Sequence, residues 1–139
     1  MPIHIGPQLS EFFGKRLLAI VATTGQRGTP ELTPIWYEYA DGAIWFNGQR
    51  TRQWLQRMEQ TRRATFFLMD DENHWKWAQV YGRVLEVSDD PDAKQFARLA
   101  ERYGRPLRGP VPDRVLVRLE ITAIKGRAGT PTEPWDASG

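Results

Sequence analysis

The sequence has 139 residues, a formal net charge of +2, no cysteine and two histidines. This length supports one domain with its own core. The absence of cysteine excludes disulfides and cysteine-ligated metal sites, and it fits a reducing compartment. No apolar segment has the length of a membrane span, no secretory signal pattern opens the chain, and the net charge is too small for a wide basic face. We therefore expect a cytoplasmic protein with no membrane partner and no nucleic-acid partner.

Residue patterns in chain order predict a mainly β protein with short helices. Strand patterns occupy six segments, 17–23, 32–39, 43–47, 63–69, 75–87 and 114–123. Helix patterns occupy three segments, 9–14, 51–60 and 91–103. Most strands are separated by short turns such as Asp41-Gly42, whereas parallel pairing needs crossovers of about a dozen residues or more. The expected fold is therefore an antiparallel split barrel of six or more strands with helices on its rim.

The C-terminal part of the chain differs in composition from the rest. Residues 126–139 are rich in glycine, proline and small polar residues, which is typical of extended or loosely held segments. We expect one domain over residues 1–126 and an extended tail over residues 127–139. Trp135 lies inside that tail, where a lone indole either packs onto a neighbouring subunit or is exposed by chance.

A short Arg-rich segment marks the candidate binding site. The residues Gln49-Arg50-Thr51-Arg52 stand between the aromatic strand 43–47 and the next helix. The free N–H groups of a helix N-terminus and the planar guanidinium groups of Arg both suit phosphate oxygens. From residue 49 to residue 63 there are five Arg and one acid, a local charge of +4. The segment predicts a site for a phosphorylated ligand; the alternative is a set of solvated surface Arg.

Other kinds of chemistry have little support in the sequence. His4 and His74 are 70 positions apart with no carboxylate at ligand spacing, so no metal site is expected. No Ser or His has the partners of a catalytic nucleophile, and no glycine-rich phosphate loop is present. The residues therefore identify no catalytic group.

Several segments resemble one known family in their order and spacing. They are LLAIVATT (17–24), GTPELTPIWY (28–37), DGAIWFN (41–47), the corner 49–52, RRATF (62–66), VYGRVLEV (80–87) and RVLVRL (114–119). This succession resembles the flavin-binding split β-barrel proteins of the pyridoxamine 5'-phosphate oxidase-like group, and within it the reductases that depend on the deazaflavin coenzyme F420. The likeness runs from about residue 7 to residue 126.

The resemblance implies a homodimer with a cofactor in a groove at the subunit interface. In this sequence the ring system would lie against the strand that contains Pro34, Ile35 and Trp36, and Asn47 and Gly48 would line the approach to the phosphate. The resemblance implies that the phosphate is held by basic residues after the third strand, and the candidate phosphate holders at this point of the chain are Arg50, Thr51 and Arg52. Relatives often have Lys where this chain has Arg52, and Arg keeps the charge.

The function implied is hydride transfer from reduced coenzyme F420 to an unsaturated, conjugated small molecule. The absence of an acid–base pair fits this, because the cofactor supplies the chemistry in such enzymes. Trp36 and Trp77 would shape the acceptor site, and solvent or a nearby tyrosine such as Tyr37 or Tyr81 would deliver a proton.

The cofactor stays open between F420 and FMN. Basic residues away from the corner favour the longer and more anionic F420, and these are Lys15, Arg57 and Lys76. Arg57 and Lys76 have simpler interpretations as a solvated helix residue and as a side chain lying along the barrel surface. A carrier of flavin or haem without enzymatic activity is a third hypothesis, and a nucleic-acid-binding barrel is a remote fourth.

Overall fold

The protein is described by a computed structural model that covers residues 3–139. Nine strands are present in these residues: β1 (His4–Ile5), β2 (Ala19–Thr24), β3 (Pro30–Ile35), β4 (Tyr37–Ala40), β5 (Ala43–Gln49), β6 (Arg63–Met69), β7 (Lys76–Asp89), β8 (Arg114–Ala128) and β9 (Ala137–Ser138). The helices are α1 (Pro7–Phe13), α2 (Gln53–Thr61) and α3 (Lys94–Arg102), with 3-10 turns at Gln26–Gly28 and Pro91–Ala93.

Seven of the strands form one antiparallel sheet in the order β3-β2-β6-β7-β8-β5-β4, and β1 pairs with β9 in a small second sheet. Buried and partly exposed side chains alternate along β8, and every second side chain from Val115 to Ile121 contributes to the core. These side chains meet the aromatic rings of Phe46 and Phe66. The prediction of an antiparallel split barrel with short helices is confirmed. No helix within residues 3–139 is both long and apolar enough to cross a lipid bilayer.

The strand predicted over residues 32–39 is in fact two strands. β3 ends at Ile35 and β4 begins at Tyr37, and these two strands are the opposite edges of the seven-stranded sheet. Trp36 alone connects them, so the two edges meet there while β3 pairs only with β2 and β4 only with β5. The barrel is therefore split along a line that starts at Trp36.

The C-terminal tail, residues 127–139, is held against the domain by specific contacts. β8 continues to Ala128, and the side chain of Trp135 is only 7% exposed. The Trp135 ring stacks on Phe12 with centroids 4.8 Å apart, and its Nε1 donates to the Trp77 carbonyl oxygen at 2.8 Å. The carboxylate of Asp136 accepts the N–H groups of Gln8 and Leu9, both at 2.8 Å, so the tail satisfies the free N-terminus of α1.

We predict that Trp135→Ala lowers the free energy of unfolding by about 3 kcal/mol, because a large buried ring is lost. Trp135→Phe should cost about 1 kcal/mol, since it keeps the stack and loses the hydrogen bond. Urea denaturation measures both. Trp75→Ala is the matched control, as that indole is 46% exposed; an equal loss of stability in all three variants would show that the tail is not specifically docked.

Candidate functional site

An open groove of about 710 Å³ lies along the split in the barrel. The end of β3 forms one wall, the end of β5 and the start of α2 form the other, and α3 and the start of β8 close the groove. The lining residues are Leu18, Thr33, Pro34, Ile35, Trp36, Asn47, Gly48, Gln49, Arg52, Trp54, Phe96, Leu99 and Arg114. The structure thus brings together six of the residues predicted from the sequence: Pro34, Ile35, Trp36, Asn47, Gly48 and Arg52.

Arg52 occupies the N-cap position of α2, where the corner turns into the helix. Its backbone is extended, with φ −74° and ψ 132°, and no side chain caps the N-terminus. Among residues 3–139 no group forms an ion pair or hydrogen bond with the Arg52 guanidinium. Free N–H groups of the first helical turn and an unpaired guanidinium therefore face the same groove, which is a suitable arrangement for an anion.

The other two corner residues are placed differently. The Arg50 guanidinium binds Asp89 at 2.5 Å and lies 3.7 Å from Glu59, so its charge is already paired and it does not line the groove. Thr51 lines a neighbouring hollow of about 540 Å³ together with Arg52. We call this hollow the extension of the groove. Of the three predicted phosphate-binding residues, Arg52 lines both the groove and its extension, and Thr51 lines the extension.

Trp36 is held in place by the aromatic residues of α3. Its ring stacks on Tyr103 with centroids 5.3 Å apart and on Phe96 with centroids 6.0 Å apart. The Arg102 guanidinium lies 5.7 Å from the Tyr103 ring, and the Tyr103 hydroxyl donates to the Leu17 carbonyl oxygen at 2.6 Å. Burial raises the pKa of Tyr103, so it remains a neutral donor. The indole that closes the barrel thus forms a fixed wall of the groove.

A buried polar network connects α3 to the floor of the groove. Asn47 donates through Nδ2 to the Asp90 carboxylate at 3.0 Å and to the Gln95 Oε1 at 2.6 Å. Asp90 also accepts the backbone N–H groups of Gln95 at 2.9 Å and Phe96 at 3.0 Å. Asp90 therefore caps α3 from outside. The helix predicted from residue 91 begins only at Lys94, because the backbone at Asp92 and Ala93 is left-handed, with φ 60° and 52°.

Arg114 is a groove residue that the sequence analysis missed. Its Nε donates to the Asn47 Oδ1 at 2.7 Å, and its guanidinium carbon lies 3.7 Å from the centroid of the Phe96 ring. Burial lowers the pKa of Arg114 below its usual value; Asp90 opposes this shift and the positive charge of Arg52 adds to it. In the sequence Arg114 is only the first polar residue of an alternating strand, so no local pattern distinguishes it from Arg118.

Gly48 allows the first turn of α2 to pack on β5. A Cβ atom at this position would lie 2.7 Å from Cη2 of Trp54 and 3.3 Å from Cδ2 of Leu55. The Trp54 ring also approaches Phe46, with centroids 6.3 Å apart. The indole of Trp54 therefore packs on Gly48 and Phe46 and also lines the groove.

Three predicted site residues lie elsewhere. Arg57 forms an ion pair with Glu31 and lines a separate hollow beside α2. Lys76 and Trp77 begin β7, and the Trp77 ring approaches Phe67 on the outer face of the sheet, with centroids 5.8 Å apart. None of these three side chains lines the groove of the same chain.

The fold and the groove define an antiparallel split-barrel protein whose groove has an aromatic wall and is lined by two arginines, Arg52 and Arg114. A family model described as pyridoxamine 5'-phosphate oxidase matches residues 5–128. The chain therefore belongs to the pyridoxamine 5'-phosphate oxidase family. Membership in this family supports a flavin-type cofactor.

Solved structures agree on the fold. An F420 reductase matches with a TM-score of 0.78 and 24% identity over 83% of this chain and 94% of that chain. A conserved hypothetical protein from Mycobacterium tuberculosis matches with a TM-score of 0.70 and 23% identity over 97% and 87% of the two chains. An FAD-binding protein from Mesorhizobium loti matches with a TM-score of 0.66 and 18% identity over 91% and 98%. A search among curated proteins gives no match.

We predict that Gly48→Ala displaces Trp54 and lowers the free energy of unfolding by about 1–3 kcal/mol, because the added methyl group overpacks the contact. Urea denaturation and the tryptophan emission maximum measure the two effects. Gly109→Ala is the control, since a Cβ atom there has no neighbour within 4 Å. Equal stability and equal emission in both variants would contradict the packing of Trp54 over Gly48.

Proposed function

We propose that the protein is an F420H2-dependent reductase acting on an unsaturated small-molecule acceptor. The observation that carries the proposal is the unpaired Arg52 guanidinium at the uncapped N-terminus of α2, opening on a groove with an aromatic wall. A phosphorylated ring system needs both features, a cationic corner for the phosphate and a flat wall for the ring. The structural likeness to an F420 reductase supports the choice of cofactor.

In this proposal the residues of the chain bind and orient, and they supply no acid or base. Arg52 and the first N–H groups of α2 hold the phosphate, while Pro34, Ile35 and Trp36 support the ring. A bound, reduced deazaflavin would provide the hydride that the acceptor takes up. Tyr37 is removed as a proton donor, because its buried hydroxyl lies 2.8 Å from the carbonyl oxygens of Phe13 and Lys15. Tyr81 lines a different hollow, so solvent entering the open groove is then the proton source.

FMN is the second candidate cofactor, and one observation favours it. The basic side chains expected to hold an anionic tail, Lys15, Arg57 and Lys76, do not line the groove of the same chain; Lys15 is paired with Asp70 and Arg57 with Glu31. The groove of one chain then provides cations for a short phosphorylated ligand such as FMN, while the residues expected to bind a longer anionic tail do not line it. A flavin carrier without turnover would use the same residues, and it would bind cofactor without reducing any acceptor.

A homodimer with the groove at its interface belongs to the same proposal. Leu32 and Leu18 are 69% and 58% exposed, and both lie at the edge of the groove or its extension. Leu32, Ala22, Thr65 and Tyr81 are register partners across four strands, so they share one outer face of the sheet. A sheet face with exposed apolar side chains beside a ligand groove suits a second copy of this chain.

We predict that Arg52→Ala weakens binding of coenzyme F420 by about 10- to 100-fold, since hydrogen bonds to charged groups contribute about 1.5–3 kcal/mol. The measurement is quenching of the six Trp residues during titration with F420 and, separately, with FMN. Arg105→Ala, an exposed Arg outside the groove, should bind like the wild type. Tighter binding of FMN than of F420 would reject the deazaflavin proposal, and equal affinity in both variants would reject Arg52 as the phosphate holder.

The dimer is tested by a charge on the apolar face. Leu32→Glu is expected to halve the mass in sedimentation equilibrium, because a buried unpaired carboxylate opposes association. Gln60→Glu adds the same charge on the exposed side of α2 and should leave the dimer intact. A wild-type protein that is monomeric at all concentrations would refute the proposed interface.

A further inference from the structure

Arg114 is anchored from two sides and left open on a third. Asn47 accepts its Nε–H, and the Phe96 ring covers one face of its guanidinium plane. Within residues 3–139 no protein group accepts a hydrogen bond from the terminal nitrogens Nη1 and Nη2, and no carboxylate lies within ion-pair distance. The same side chain lines the groove. Its remaining donors are therefore available to whatever the groove holds.

This arrangement is suited to oxyanion binding for a geometric reason. A guanidinium presents its donors as a planar fork that matches a carboxylate or a phosphate. A free Arg side chain loses rotamer entropy when it binds, whereas Arg114 is already ordered by Asn47 and Phe96. Lys at this position would keep the charge but lose both the Nε contact and the flat stacking surface.

The electrostatic setting points in the same direction. Arg52 and Arg114 line one groove, and the positive charge of Arg52 disfavours the charged form of Arg114. Asp90 is the acidic group that opposes this effect, and it is already engaged by Asn47, Gln95 and Phe96. Two repelling cations with unused donors are relieved by an anion that binds near both of them.

We propose that Arg114 is a second anion anchor of the groove, binding a carboxylate or phosphate oxyanion through its two terminal nitrogens while Arg52 holds the phosphate at the corner. The inference deepens the proposed function and rests on it only for the identity of the cofactor. The oxyanion belongs either to the cofactor itself or to the acceptor that shares the groove, and the experiment below separates these sources.

The test follows the arginine Nε–H signals of the 15N-labelled protein by NMR. The Arg114 signal is identified by its loss in Arg114→Lys, and it should move saturably when sodium pyrophosphate is added. Arg118 is the matched internal control. It lies on the same strand, stacks 5.5 Å from the Trp45 ring centroid and pairs with Glu86 at 3.4 Å, outside the groove, so its signal should stay in place.

Affinity gives the second readout. Arg114→Met is expected to weaken pyrophosphate binding by about tenfold or more, because two charge-assisted hydrogen bonds are removed. Arg118→Met should bind pyrophosphate like the wild type. Should Arg114→Met fail to fold, the signal shift in the wild-type protein still decides the question. An Arg114 signal that does not move, or moves only together with Arg118, overturns the proposal, as does equal affinity in the two variants.

Titration with F420, and with its ring and ribityl chain lacking the phosphate, identifies the source of the oxyanion. If the Arg114 signal moves with F420 but not with the phosphate-free compound, the anchor is assigned to the cofactor. If pyrophosphate moves the Arg114 signal and F420 does not, the anchor is assigned to the acceptor. If F420 quenches no Trp fluorescence while pyrophosphate still moves the Arg114 signal, the proposed function fails and the anion anchor stands.

Discussion

Closure of the sheet at one residue is the constraint on which the rest of the site depends. β3 and β4 are the outermost strands of the sheet, yet Trp36 alone separates them in the chain. The edges are brought together there, and the groove lies beside this junction, between the end of β3 and the end of β5. Its shape therefore depends on what fixes the Trp36 indole, which is the stack on Phe96 and Tyr103 of the α3 region. A helix far along the chain thus sets one wall of the site.

The position of α3 depends in turn on a buried amide. Asn47 is 6% exposed and joins three elements, since it donates to Asp90 and Gln95 beside α3 and accepts from Arg114 of β8. A buried network of this kind is favourable only when its members are satisfied. An apolar residue at position 47 would leave the Asp90 carboxylate and the Arg114 Nε–H without this partner. The same contacts that place the helix therefore also orient the groove cation.

Local sequence patterns predicted the strands and the Arg-rich corner. The break at Trp36, the place of Arg114 and the docking of Trp135 depend instead on contacts between residues remote in sequence. β6 runs over the residues expected, because its alternation and flanking charges are local. The break at Trp36 has no local signal, since Ile35 and Tyr37 are both buried and keep the two-residue period of an unbroken strand. Arg114 becomes a groove residue only because β8 pairs with β5, with Arg114 opposite Gln49. Trp135 is fixed by contacts with Phe12 and Trp77, both remote in sequence.

The distribution of charge pairs separates the cations that stabilise the fold from those available to a ligand. Arg50 and Arg57 each have an acidic partner, whereas Arg52 and the terminal nitrogens of Arg114 have none among the described residues. For Arg52 the free-energy cost of lacking an acidic partner is small, because water solvates an exposed guanidinium. For the half-buried Arg114 it is larger, since removal from water without a compensating anion is unfavourable. The Nε–H bond to Asn47 and the stack on Phe96 contribute to the fold, whereas a bound oxyanion would give the two terminal nitrogens their partners.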